Sequence, residues 1–150
     1  MTRFLPISLV AALCLLTGSA VLAQTTPTTG RSGSGYTYEV KPALAGQRVF
    51  VCAQHPIDEN GNVVGKNDLN AQTEQIMKNI SSELEKRGLT LKHIKQVSYR
   101  MKDYTPSSNA VLSAASSTFA EFHPGIADYK NVASFQREGM LLEIEVVAVK

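Results

Sequence analysis

The carboxyl-terminal stretch 140–150, MLLEIEVVAVK, constrains the fold of this chain more than any other segment. It is rich in β-branched residues and has no Gly or Pro, which predicts a strand. Alternate residues of a strand point to opposite faces. One face is therefore wholly apolar, and the other carries Glu143 and Glu145 among apolar neighbours. A strand apolar on both faces is normally buried, so each carboxylate must face solvent at a sheet edge, be paired, or meet a ligand.

The amino terminus has the pattern of a cleavable signal peptide. Arg3 precedes an apolar run at 7–16, and the small-residue pattern ends at Ala23. We expect a signal peptide at 1–23, cleavage after Ala23, and a periplasmic or secreted mature protein with no membrane attachment. The alternative is an uncleaved anchor, which the shortness of the apolar run disfavours.

Charge and cysteine content exclude several classes of protein. The chain has 15 basic and 13 acidic residues, and loss of Arg3 with the leader leaves a net charge of +1. That balance argues against a nucleic-acid or anionic-membrane binder. Cys14 leaves with the leader, so Cys52 has no partner for an internal disulfide. The three histidines are scattered without metal-ligand spacing, and we expect no metal and no cofactor.

The mature chain divides into a linker and one domain. Segment 24–35 consists mainly of Thr, Ser, Gly and Pro, which predicts a flexible linker before a domain at 36–150. Alternation and turn residues then predict this order of elements: strands 36–40 and 48–53, a helix 68–88, a strand 94–101, a helix 105–122, and strands 131–135 and 140–150.

The helix signals also predict the layers of the fold. Asn67 or Asp68 can cap the first helix, Gly88 ends it, and Thr105 with Pro106 opens the second. Two helices that each connect strands should lie on one face of a single sheet, through right-handed crossovers. The other face still carries apolar side chains, which a second subunit would cover. The sequence therefore predicts an α+β fold that forms an oligomer.

Two segments resemble the Rid/YjgF family of reactive-intermediate deaminases, also called the endoribonuclease L-PSP family. Residues 49–88, VFVCAQHPIDENGNVVGKNDLNAQTEQIMKNISSELEKRG, look like the family's strand, Gly-Gln-x-Pro loop, Asp-Gly turn and helix. Residues 138–150, EGMLLEIEVVAVK, look like its Glu-Ile-Glu strand ending. The resemblance implies a chorismate-mutase-like α+β sandwich that assembles as a homotrimer with its helices outside.

The activity that the resemblance implies is hydrolysis of 2-imino and enamine acids to 2-keto acids and ammonia. This chemistry needs no metal or cofactor. It needs a cation for the substrate carboxylate, best supplied by an arginine fork, and a carboxyl group that orients or activates water. By resemblance the water-orienting position is Glu143.

The remaining site positions are also given by the resemblance. The family's substrate-binding arginine corresponds to Lys130, which keeps the charge but lacks the planar fork. Cys52 stands at a pocket position that is usually serine, although a free cysteine more often packs as a small core residue than acts as a reactive thiol. Tyr38 or Tyr36 stands at the aromatic position. Arg100 is a further candidate for binding a ligand carboxylate across the trimer.

Two functions remain open from the sequence. One is an exported deaminase that uses Lys130 and Glu143 on small 2-imino or enamine acids. The other is a catalytically inactive trimeric module that binds a small carboxylate or another ligand in the inter-subunit cleft. RNA cleavage is disfavoured, because the mature chain has almost no excess positive charge.

Overall fold

The computed structural model describes residues 30–41, 46–105, 108 and 125–150. The predicted signal peptide and nearly all of the predicted second helix lie outside these residues. The described elements are β1 (Gly30–Ser32), β2 (Gly35–Val40), β3 (Val49–Gln54), α1 (Leu69–Glu85), a 3-10 turn (Leu91–His93), β4 (Ile94–Lys102), β5 (Gly125–Val132) and β6 (Leu142–Val149).

The six described strands form one sheet in the order β1-β2-β3-β6-β4-β5. The terminal strand β6 lies between β3 and β4 and is antiparallel to both. β5 runs parallel to β4 at the edge. The interior position of β6 satisfies its backbone hydrogen bonds on both sides, and one of its apolar faces lies in the core.

Helix α1 covers one face of this sheet and forms the core with it. Its cap is Asp68, whose carboxylate accepts hydrogen bonds from the amides of Asn70 and Ala71 at 3.0 and 3.1 Å. Gly88 adopts a φ of 66° beyond its last turn, as a helix-ending glycine commonly does. The predicted helix is therefore confirmed. It packs on β3 and β6. Its apolar stripe belongs to one core cluster with inward side chains of β3, β4 and β6, among them Phe50, Tyr99, Leu142, Ile144 and Val146.

Two edge strands differ from the sequence prediction. β1 lies inside the segment predicted as a flexible linker, and it pairs with β2 through the turn at Gly33 and Ser34. β5 occupies Gly125–Val132, whereas the pattern predicted 131–135. Both strands are formed by backbone pairing with a neighbour. Such pairing requires no apolar alternation, so periodicity does not reveal it.

The second face of the sheet points away from α1. Its half-buried members come from β2, β3 and β6 and are mostly apolar: Tyr36, Tyr38, Val49, Val51, Val147 and Val149. The apolar character predicted for this face is thus present in the described residues. Of the helices described, none combines the length and the apolarity that crossing a bilayer requires.

Candidate functional site

A row of four polar side chains crosses the second face of the sheet. Arg100 on β4 is opposite Glu143 on β6 and, on its other side, opposite Lys130 on β5. His55 directly follows β3 and contacts Glu143 from the opposite direction. We call His55, Glu143, Arg100 and Lys130 the polar row. Strand alternation places all four away from the core that α1 covers.

Glu143 is the buried centre of this row. Its side chain is 8% exposed, and its Oε2 lies 2.6 Å from Nε2 of His55. Its Oε1 accepts a hydrogen bond from Nη1 of Arg100 at 2.9 Å. Burial alone would raise the pKa of Glu143, but the hydrogen bonds and charges of His55 and Arg100 outweigh it and hold the pKa below its usual range. Glu143 is therefore an ionised hydrogen-bond acceptor at neutral pH and cannot donate a proton.

The backbone of His55 is fixed from two sides. Its amide donates to the carbonyl of Ser34 at 2.7 Å. Its carbonyl accepts from Nδ2 of Asn79 on α1 at 2.9 Å, and the same amide group also binds the carbonyl of Ile57. The imidazole remains 25% exposed. The histidine is therefore held in place by β1–β2 and α1 while its ring stays accessible.

Three members of the polar row open into a cavity of about 540 Å³. His55, Arg100 and Glu143 form its polar wall. Its other wall comes from the segment between β5 and β6, which supplies Phe135 and Arg137. Nη1 of Arg137 donates to the carbonyl of Gly61 and so joins this segment to the turn before α1. The cavity offers cations for an anionic group beside apolar surface for a side chain.

Tyr36 completes the wall on the β2 side. Its hydroxyl donates to Oε2 of Glu145 at 2.8 Å. Burial, the hydrogen bond to Glu145 and the nearby carboxylates raise the pKa of Tyr36, so the phenol stays neutral. Tyr38 stacks on Tyr36 with ring centroids 5.9 Å apart but does not line the cavity. Of the two tyrosines left open by the sequence, the structure thus places Tyr36 at the site.

Cys52 lies in the core, contrary to the expectation that it lines the site. It is 0% exposed, and its sulfur accepts a hydrogen bond from Oγ1 of Thr37 at 3.3 Å. Burial raises the pKa of its thiol above the usual value. The reason is strand parity, because Cys52 points opposite to Ala53, whereas the cavity is on the face of Ala53 and Glu145.

Lys130 is exposed and lies one strand beyond Arg100. Two strand spacings, about 10 Å, separate its backbone from that of Glu143. Arg100 lies between Lys130 and Glu143 and makes the ion pair with Glu143 at 2.9 Å. Lys130 does not line the cavity, although it sits beside Arg100 on the same face. Binding of a ligand by Lys130 or Arg100 stays a prediction.

His55 is the site residue that the sequence analysis missed. Counting alternate positions along β3 from Val49 through Val51 and Ala53 leads to His55, on the face that Glu143 also occupies. The sequence alone was therefore enough to place His55 on this face of β3. The sequence did not show that β6 is the neighbour of β3, which is the fact that brings His55 and Glu143 together.

The fold agrees with comparisons to known proteins. Residues 32–150 match the model of the endoribonuclease L-PSP family. The chain belongs to this family, which also bears the names YjgF and Rid. A curated RutC family protein of Pyrococcus horikoshii is 28% identical over 108 residues, which are 71% of this chain and 82% of that protein.

Solved structures support the same assignment. A protein of unknown function from the conserved Rid protein family of Yersinia pestis is 26% identical, with a TM-score of 0.59 over 77% of this chain and 79% of that one. The YjgF gene product of E. coli, at 24% identity, shares the fold with a TM-score of 0.59 over 75% of this chain and 85% of its own. The predicted family and the YjgF-type α+β fold are thereby confirmed.

Within the part of the chain that the structure describes, no three His, Cys, Asp or Glu side chains are grouped so that they could hold a metal ion. The candidate site consists of the polar row and the cavity walls. Its chemistry rests on one ionised carboxylate, one imidazole and nearby arginines.

Proposed function

We propose that this protein hydrolyses 2-imino acids, or their enamine tautomers, to 2-oxo acids and ammonium in the cavity beside the polar row. One observation carries the proposal: Glu143 is buried and ionised, and it faces the cavity between His55 and Arg100. A carboxylate so placed supports activation of a water molecule for addition to a C=N carbon. Membership of the Rid family makes this reaction class the natural candidate.

Arg100 is the cation best placed to hold the substrate carboxylate. It lines the cavity, its side chain is 47% exposed, and only Nη1 is used by Glu143 in the described contacts. The guanidinium has five N–H donors in a planar fork, so a second carboxylate can still bind to it. Lys130, adjacent on β5, adds positive charge near this point without the fork.

The reaction can be tested with imines made in place. An amino-acid oxidase generates 2-iminopropionate and 2-iminobutyrate, and their decay is followed with and without the purified mature protein. We expect acceleration over buffer, with a loss of kcat/KM on the order of 100-fold or more in Glu143→Gln. Glu39→Gln, on β2 and engaged only with Arg48 among the described side-chain contacts, is the control. Decay at the buffer rate with both imines contradicts the proposal.

A binding module without turnover is the second candidate, and two observations favour it. Lys130 stands at the family's arginine position, and Arg100 is already neutralised by Glu143. Calorimetry with pyruvate and 2-oxobutyrate, the stable products, separates the two. Binding that Arg100→Gln weakens, together with an imine decay at the buffer rate, identifies the module.

The predicted signal peptide would place either function in the periplasm or outside the cell. The substrate would then be an imine formed or released there. Terminal sequencing of the exported protein tests this placement, and Gln24 is the expected first residue.

A further inference from the structure

We propose that His55 is the base that takes the proton from the attacking water, and that Glu143 acts by holding its ring. This inference rests on the proposed hydrolysis and assigns the proton transfer within it. The observation behind it is the 2.6 Å contact between Nε2 of His55 and Oε2 of Glu143 at the cavity wall.

The contact fixes which nitrogen can act. Glu143 is ionised and can only accept, so Nε2 of His55 carries the hydrogen of this bond. When the imidazole is uncharged and donates from Nε2, its lone pair is on Nδ1, so Nδ1 is the nitrogen that can take a proton from water. Among the described contacts, none engages Nδ1 of His55. A carboxylate that fixes the tautomer of a histidine in this way is the arrangement that makes the other nitrogen a base.

Accessibility and basicity both favour the imidazole over the carboxylate. The side chain of Glu143 is 8% exposed and both of its oxygens are engaged, whereas that of His55 is 25% exposed. His55 and Arg100 hold the pKa of Glu143 below its usual range, after burial has acted in the other direction. The same interactions that stabilise the carboxylate therefore make it a weak base. In model compounds an imidazole binds a proton more tightly than a carboxylate by about two pKa units.

Each proton transfer in the hydrolysis has a donor and an acceptor. As the water oxygen bonds to the iminium carbon, its proton passes to Nδ1 of His55 and the C=N electron pair moves to nitrogen, which gives a neutral carbinolamine. The imidazolium then protonates the amine. The C–N bond breaks with its electrons on the leaving ammonia, the carbinol oxygen forms C=O, and its proton passes to ammonia. The sum is iminium plus water giving 2-oxo acid plus ammonium, with no redox change.

Charged and titratable groups surround the ring from each neighbouring element. They are Glu143 on β6, Arg100 on β4, Tyr36 on β2 and Arg137 in the segment before β6. From α1, the neutral amide of Asn79 binds the backbone carbonyl of His55. The carboxylate of Asp58, in the loop after His55, is turned to the amides of Asn60 and Asn62. The contact that orders the imidazole is therefore the one with Glu143.

The experiment compares His55→Gln, His55→Ala and Glu143→Gln with the wild type on 2-iminopropionate. We expect His55→Gln to lower kcat about 100-fold or more, with KM changed only a few-fold. The acidic limb of the wild-type kcat/KM profile should disappear in this variant, because that limb reports protonation of the catalytic base. Added imidazole should restore the rate of His55→Ala in a saturable way.

A matched control variant makes the outcomes distinct. His93→Gln changes the histidine of the Leu91–His93 turn, outside the cavity, and should keep the wild-type rate. An active wild type with an unchanged rate and pH profile in His55→Gln overturns the role of His55 and leaves Glu143 as the direct base. A loss of rate in His55→Ala that imidazole does not restore makes His55 structural and also overturns it. An inactive wild type removes the proposed hydrolysis itself, and this inference with it.

Discussion

At the scale of single residues, Gln72 joins α1 to the backbone before the helix and before β6. It is 0% exposed on α1, and its Nε2 donates to the carbonyls of Gly65 and Gly139 at 2.8 and 2.6 Å. Its Oε1 accepts from the amide of Leu141 at 2.7 Å. One side chain thus satisfies three backbone groups and positions Leu141, which directly precedes β6 and lies two residues before Glu143.

Replacing this amide should destabilise the fold. Gln72→Leu keeps the volume approximately but leaves one buried N–H and two carbonyls without that partner. We expect a loss of about 2–3 kcal/mol in the free energy of unfolding, measured by urea denaturation. Glu74→Leu changes an exposed position on the same helix and should stay within about 0.5 kcal/mol of the wild type. An unchanged urea midpoint for Gln72→Leu would show that these three hydrogen bonds make no net contribution to the free energy of unfolding.

For single residues, the sequence predicted some positions correctly and missed others. Alternation correctly separated Glu143 from the apolar face of β6, and the family resemblance gave it a role. Neither indicated its partners, because those depend on which strands are neighbours. Arg100 lies between Lys130 and Glu143 only because β4 separates β5 from β6. Cys52 was assigned to the site although its parity with Phe50 already pointed to the core.

At the scale of elements, the last turn of α1 is held by two ion pairs of one buried carboxylate. Glu83 is 6% exposed and contacts Lys86 at 2.6 Å and Arg87 at 3.0 Å. Oγ1 of Thr37 on β2 also reaches its carboxylate at 3.4 Å. Glu83 follows Ile80 by three positions, so it borders the apolar stripe and is carried against the sheet.

This arrangement predicts an acid-sensitive helix end. Burial acts to raise the pKa of Glu83, but Lys86 and Arg87 outweigh it and the pKa is lowered in the folded chain. The unfolded chain then binds the proton more readily, so acid favours unfolding. The contribution of Glu83 to stability should be present above about pH 5 and should be lost as the pH falls towards 3. Thermal unfolding across this range measures it.

The variant Glu83→Gln isolates that contribution. Its stability should depend less on pH between about 5 and 3 than that of the wild type, because the titrating group is gone. Glu85→Gln, an exposed neighbour on the same turn, is the control. Glu143 has a lowered pKa of the same sign and remains in both variants, so only the difference between the pH slopes is diagnostic. Equal slopes in the wild type and Glu83→Gln contradict the prediction.

At the scale of the whole molecule, sequence order predicted one mixed sheet with a helix layer, and the family fold confirms this arrangement. That success came from long segments such as α1 and β6, in which apolar residues recur with a regular period. The edges were less predictable. GIADYKNV in β5 has little alternation, and the three-residue β1 has none, so their pairing is set by the neighbouring strand.

The sheet face opposite α1 predicts the assembly. Val49, Val51, Val147 and Val149 form an apolar patch beside the polar row, and they are only half-buried in a single chain. We propose that other copies of the chain cover this patch in a homotrimer, as the family resemblance implies. Light scattering of the mature protein at micromolar concentration should then give about three times the mass of one chain.

A charge placed in the patch tests this proposal and its connection to the site. Val51→Glu puts a carboxylate where subunits would meet, and an unpaired buried charge is costly, so we expect a monomer that keeps its far-UV circular dichroism. Lys78→Glu, on the exposed side of α1, alters charge on the opposite layer and should remain a trimer. If neighbouring subunits complete the cavity, Val51→Glu should also lose imine hydrolysis while Lys78→Glu retains it. A wild-type protein of single-chain mass would show that this face is covered in some other way.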